Sequence, residues 1–197
     1  MRSILGIPAI YSLFTNLVGG RRSCHRFVKD HIHPNIGDKI LDIGCGPGNF
    51  LEFLPEVDYV GFDASPSYIE AAQRRFGNRG RFFCELVTRN TLQGENFDLV
   101  LSNGVLHHLN DEEASQLFEL AYSVLKPGGR LVTEDGCYVP GQSAIARYLL
   151  RLDRGRFVRD KEGYENLAKL HFTDTKTTIR HDLLRIPYTH IIMECTK

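Results

Sequence analysis

A chain of 197 residues is long enough for one domain with a cap and for a sizeable buried core. Its 42% hydrophobic and 24% charged residues are those of a globular protein, which excludes a disordered or fibrous chain. Lys plus Arg and Asp plus Glu number 24 each, so overall charge gives no ground for a nucleic-acid partner.

The chain opens on Ile4, Ile7, Tyr11, Phe14, Leu17 and Val18, which recur at the three- and four-residue steps of an amphipathic helix. Pro8 interrupts this stretch, and the run falls short of the roughly 18 apolar residues of a membrane span. No clean cleavage site follows it, so neither an anchor nor a signal peptide is expected. A helix docked on its own domain, a lid over a pocket and a peripheral membrane contact stay open as its roles. A second helix is expected over residues 23–32. Residues 40–43 form a buried strand, followed by a helix over 49–54 and a second strand over 59–62. Ser65 then caps a helix whose first turn tolerates Pro66 and which stops at Gly77-Asn78.

Residues 81–86 and 97–102 read as the third and fourth strands. A helix over 111–125 carries Asp111-Glu112-Glu113 in its first turn, complementing its dipole. Lys126-Pro127-Gly128-Gly129 stops it before a fifth strand over 130–134. Near the end, 177–183 and 189–195 read as two strands joined at Ile186-Pro187-Tyr188, and so short a loop makes them antiparallel. Alternating strands and helices with short turns predict an α/β fold: a doubly wound, mostly parallel sheet finished by an antiparallel hairpin. The expected organisation is one domain, with a helical cap over 1–35, an α/β core over 36–137, a helical insertion over 138–170 and the terminal hairpin over 171–197.

The most informative stretch is Ile40-Leu41-Asp42-Ile43-Gly44-Cys45-Gly46-Pro47-Gly48, a strand running into a glycine turn. Gly44 and Gly46 let backbone turn sharply and approach a ligand closely. Asp63, at the end of the second strand, is placed to accept hydrogen bonds from both hydroxyls of a ribose. Asn49 stands where a dinucleotide fingerprint has its third glycine, and no G-x-x-x-x-G-K-[ST] is present. The carboxylate of Asp42 would repel a pyrophosphate and attract a cation. A ligand with a ribose and a positively charged amino-acid end therefore fits better than NAD.

On this motif the chain resembles the class I S-adenosylmethionine-dependent methyltransferases. The resemblance continues through Phe97-Asp98-Leu99-Val100-Leu101-Ser102-Asn103, Val105-Leu106-His107-His108-Leu109 and Leu125-Lys126-Pro127-Gly128-Gly129-Arg130-Leu131, and it covers about residues 36–135. It implies a seven-stranded Rossmann-like fold and S-adenosyl-L-methionine as cofactor. Asp42, Gly44, Cys45 and Gly46 would hold the methionyl part, Asp63 the ribose, and Ala64 would pack beside the adenine. Members often place an acid after the third strand for the adenine amino group. This chain has Cys84-Glu85-Leu86 there, so Glu85 or the backbone of Leu86 takes that place. Asn103 would touch the amino-acid end of the cofactor; Gly104-Val105 breaks the Asn-Pro-Pro-Tyr box of enzymes that methylate nucleobase amines.

Methyl transfer to oxygen or nitrogen usually requires a proton to be removed, and histidine titrates in the useful range. His107 and His108, just beyond the fourth strand, are the candidate bases, with His171 and Tyr11 as more distant ones. The five cysteines (24, 45, 84, 137 and 195) are scattered without a C-x-x-C, which predicts a reducing, cytoplasmic setting and no metal site. Between residues 147 and 161, six basic side chains oppose Asp153 and Asp160, the composition of an acidic or phosphorylated substrate site or of a solvated helix face. The expected activity is methylation of a small-molecule or lipid-like acceptor. A protein or RNA methyltransferase, and a cofactor-binding protein without catalysis, are the alternatives.

Overall fold

In the computed structural model, residues 20–92, 94–152 and 155–197 are described, and the expected N-terminal helix with Tyr11 lies outside them. Strands β1 (Lys39–Ile43), β2 (Asp58–Phe62), β3 (Gly80–Phe83), β4 (Phe97–Asn103), β5 (Leu125–Tyr138), β7 (Asp174–Arg180) and β8 (His190–Thr196) form one sheet in the order β3-β2-β1-β4-β5-β8-β7. The first five pair in parallel; β8 runs antiparallel to both β5 and β7. A short strand β6 (Arg159–Asp160) adds to the end of β5. The doubly wound, mostly parallel sheet with an antiparallel terminal pair is the one the sequence predicts.

Successive residues of a strand point to opposite faces, so strands covered on both sides read as continuous apolar runs. Leu41, Ile43, Val100 and Leu131 join one core with α3 (Asp111–Val124) and α5 (Lys161–Lys169), through Phe118, Ala121, Tyr164 and Ala168. Ile40, Leu99, Leu101 and Val132 join a second core with α1 (Gly20–Phe27) and α2 (Pro66–Phe76), through Phe27, Ile69, Ala72 and Phe76. α4 (Ala144–Leu152) follows β5 and packs Ala146 and Leu150 inward.

Several boundaries differ from expectation for identifiable reasons. The helix expected over 49–54 is a 3₁₀ turn, Asn49–Glu52, because Leu54 precedes Pro55 and is steered out of helical backbone. β3 stops at Phe83, paired with Phe62, because β2 ends there and offers no further ladder partner. Lys126 to Gly129 do not form a turn before β5. They bulge within it, the register jumping from Phe97↔Leu125 to Leu99↔Arg130 with Gly128 at φ +78°. β7 and β8 lie further apart in sequence than read, since Pro187 cannot donate to a ladder. The helix expected over 23–32 is α1 continued by a π-helical turn, Val28–Ile32, which closes on His33 at φ +47°.

Candidate active site

Strand order reverses between β1 and β4, and ligands of doubly wound sheets bind beyond the strands' carboxyl ends at that point. The chain leaves β1 through Gly44, Gly46 and Gly48, all at positive φ (75°, 53° and 73°), a conformation open to glycine at no steric cost. The turn is tied to β2 by N–H bonds from Gly44 and Cys45 to the Phe62 carbonyl (2.8 and 2.9 Å). Asp63 completes the tie, accepting from the Gly46 N–H (2.9 Å) and the Ser65 N–H (2.8 Å). A Cβ at Gly44 would lie 2.5 Å from Val105 Cγ2, so this glycine keeps the first turn after β4 seated against the loop. A Cβ at Gly46 would meet nothing within 4 Å, leaving that backbone open to a ligand. Cys45 is buried with its thiol against Gly61, so only its backbone belongs to the crevice.

Asp42 lies buried in β1, one residue before the strand's end. Its side chain is 1% exposed and accepts the Tyr59 hydroxyl at 2.6 Å through Oδ2, while Oδ1 is buried with no hydrogen-bond partner. Burial pushes its pKa up to about 7 against the pull of that hydroxyl, and the nearby Asp63 charge adds to the rise.

Across the switch point, β4 delivers Asn103 and β5 delivers Glu134 and Asp135, in the register Asn103↔Glu134. Asn103 donates to Glu134 Oε2 at 3.1 Å, and His190 Nε2 of β8 lies 3.7 Å from Oε1. Burial, with the Asp135 charge beside it, raises Glu134 to about 8. Asp135 points to the opposite face and meets His107: Oδ1 lies 2.8 Å from His107 Nδ1 and 3.2 Å from its backbone nitrogen. Burial raises the Asp135 pKa, and His107 opposes the rise. The segment after α4 closes on this pair. Phe157 N–H bonds the His107 carbonyl at 2.9 Å, and a Cβ at Gly155 would stand 2.2 Å from His107 Cδ2. Arg159, counted in the sequence toward a basic substrate patch, is used structurally: it binds Asp111 and the carbonyls of Leu106 and Leu109.

The remaining sequence candidates scatter. His108 is exposed beside His107, ring centroids 4.2 Å apart. His171 bonds Ser115 of α3 at 2.9 Å. Ala64, Glu85 and Leu86 are exposed past β2 and β3, where Phe62 and Phe83 stack at 4.9 Å. Sequence reasoning missed Tyr59, the Asp135–His107 pairing and Gly155. Gly155 has one signal in the sequence, a glycine inside the charged run Asp153-Arg154-Gly155-Arg156.

Residues 40–129 match the family model described as a methyltransferase domain. Phosphoethanolamine N-methyltransferase 1 of Zea mays is 30% identical over 159 residues, covering 77% of this chain and 31% of its own length. Residues 40–129 of the chain therefore carry a methyltransferase domain, in line with the class I motifs read in the sequence. It spans about a third of the length of the curated relatives it matches, 31% in the maize case. A phosphoethanolamine N-methyltransferase 2 of Haemonchus contortus shares the fold at TM-score 0.68 and 18% identity, covering 88% of this chain and 52% of that one. The magnesium protoporphyrin IX methyltransferase of Synechocystis does so at TM-score 0.65 and 19% identity, covering 91% and 83%.

The crevice has the chemistry for S-adenosyl-L-methionine, the cofactor that the sequence resemblance implies. Gly46 leaves space over the turn, Asp63 is held at its edge, and the unpartnered Asp42 Oδ1 is a buried acceptor within reach of the Asp63 charge, a local excess of acid. A ligand that brings positive charge relieves that excess; a pyrophosphate would worsen it.

Proposed function

We propose that this methyltransferase methylates an amine or hydroxyl of a small-molecule acceptor, with His107 accepting the acceptor's proton and Asp135 orienting His107. The observation that carries this reading is the buried His107–Asp135 pair at 2.8 Å, one turn beyond the end of β4. When bound, the cofactor supplies a methyl group on a positively charged sulfur, so that the acceptor needs a free lone pair rather than the leaving group needing a proton.

Gly44 and Gly46 approach the methionyl part through their backbone, Asp42 faces its positive end, and Asn103 lies at the same side of the crevice. Asp63 holds the ribose, while Ala64 and the backbone at Leu86 border the adenine. An Asp135 carboxylate bonded to Nδ1–H selects the imidazole tautomer whose Nε2 carries the lone pair, the arrangement a general base requires. The names of the maize and Haemonchus relatives make phosphoethanolamine the first acceptor to test, and support a small acceptor over a macromolecular one.

The test is incubation of the purified chain with methyl-labelled cofactor and phosphoethanolamine, followed by fractionated small metabolites and lipids. We expect label in one of these, and a loss of about 10²–10⁴-fold in kcat for His107→Gln, the usual contribution of a positioned base. The cofactor dissociation constant of that variant should stay within about twofold of the parent, since His107 is not a cofactor contact. Full turnover by His107→Gln would overturn the assignment of the base.

A further inference from the structure

α4 presents an apolar face to solvent. Ile145, Tyr148 and Leu152 are 60%, 61% and 61% exposed, and half-buried Leu149 lies between them. At about 100° per residue these four occupy an arc of about 100°, turned away from the inward-packed Ala146 and Leu150. On the same wheel Arg151 lies about 60° and Arg147 about 100° beyond Tyr148, so a basic strip runs along one side of this face. Arg147 and Arg151 have no carboxylate partner among the described residues, and Arg147 rests over the Tyr138 ring at 5.7 Å. Exposed Arg156 and Phe157, 40% exposed, extend the same composition past the helix. Several other arginines of the chain are paired, Arg81 with Glu95, Arg159 with Asp111 and Arg180 with Asp182.

A merely solvated helix has no use for three exposed large apolar side chains on one side. A nucleic-acid surface would use the arginines and leave the aliphatic groups unburied. Aliphatic and tyrosyl groups flanked by arginine suit the boundary between headgroups and acyl chains. Ala146, on the inner side of the same helix, lines a cavity of about 320 Å³ together with Val139, Gln142, His181 and Tyr188. A surface bound by α4 therefore lies beside the mouth of a cavity at the carboxyl edge of the sheet.

We propose that α4 docks this methyltransferase peripherally on an anionic lipid bilayer, Ile145, Tyr148 and Leu152 entering the interface and Arg147 and Arg151 contacting headgroups. The inference does not rest on the acceptor or base assigned above, and its test does not use turnover. The intact chain is sedimented with phosphatidylcholine vesicles with and without phosphatidylglycerol. We expect binding to the phosphatidylglycerol vesicles, weakened at least about fivefold when salt rises from about 0.1 to about 0.5 M. Tyr148→Ser/Leu152→Ser and Arg147→Gln/Arg151→Gln should each lower the partition coefficient at least about tenfold, with cofactor affinity unchanged as evidence of an intact fold. A wild-type chain that stays in the supernatant overturns the proposal. So does vesicle binding that survives both double variants. RNA binding lost only in the arginine variant, without vesicle binding, would assign the face to nucleic acid instead.

Discussion

Replacing Asp42 by Asn separates what this carboxyl group costs the fold from what it contributes to the ligand. The side chain is buried, one oxygen bonded to Tyr59 and the other to nothing, and its pKa lies at about 7. An unfolded aspartate titrates near ~4. Between those values the folded protein holds a proton that the unfolded chain has released, so this group's contribution to stability falls as pH rises through that window. At about 1.4 kcal/mol per pKa unit, the loss reaches on the order of 4 kcal/mol by pH 8. Asparagine stays neutral and still accepts the Tyr59 hydroxyl, but it orphans a buried amide at a cost of about 1–3 kcal/mol. Asp42→Asn is therefore expected to gain about 1–3 kcal/mol at pH 8 and to lose most of that gain at about pH 5, read by urea unfolding at both. Its affinity for S-adenosylmethionine at pH 8, by calorimetry, should fall by about 1.5–3 kcal/mol, the scale of an interaction with a charged group. A variant less stable than the parent by more than about 1 kcal/mol at both pH values, or one with unchanged affinity, would refute the reasoning.

Three further outcomes follow from the same crevice. Asp63→Ala removes the acceptor shared by the Gly46 and Ser65 N–H groups, and should weaken cofactor binding by about 1.5–3 kcal/mol in isothermal titration. Gly44→Ala sets a Cβ 2.5 Å from Val105 Cγ2 at φ +75°, and should cost about 2–5 kcal/mol of stability. Val105→Ala in the same chain should return about 1–2 kcal/mol in chemical denaturation, which an obstruction of the ligand alone would not do. Asp135→Asn should lower kcat by about 10–100-fold with little change in cofactor affinity. It should also move the acidic limb of the pH–rate profile to lower pH, because a carboxylate beside an imidazole favours its charged form.

The parts of the site that lie along one stretch of chain were legible in the sequence. β1 and β2 are buried on both faces, so their apolar runs mark the strands and put the glycine turn and Asp63 at strand ends. What pairs across the sheet was not legible. Tyr59 reaches Asp42 only because Ile40↔Tyr59 sets the register of β1 against β2, and Asp135 reaches His107 because of the alignment of β4 with β5. The hairpin's existence could be read from its short connection, whereas its limits depended on which residues of β8 find partners on β5. The expectation of Glu85 as an adenine contact rests on a third strand reaching residue 86; β3 ends at Phe83, and Glu85 stands exposed past the sheet.

A sheet selected only for stability would not gather Asp42, Asp63, Glu134 and Asp135 at one edge. Asp42 and Glu134 are buried acids held near 7 and near 8, and so both lie poised where a cation nearby would ionise them. A ligand bearing positive charge gains from that ionisation, and the neutral thioether product gains less, since its sulfur no longer carries charge. Were these acids to face the cofactor, the same groups that weaken the fold at neutral pH would favour the methyl donor over its product. Asp135 differs from the other two in having His107 within hydrogen-bond distance, which couples its charge to a proton acceptor rather than to the cofactor. Two buried acids placed to meet a cation, and a third paired with a histidine, would let a single sheet edge hold a positively charged ligand beside a proton acceptor.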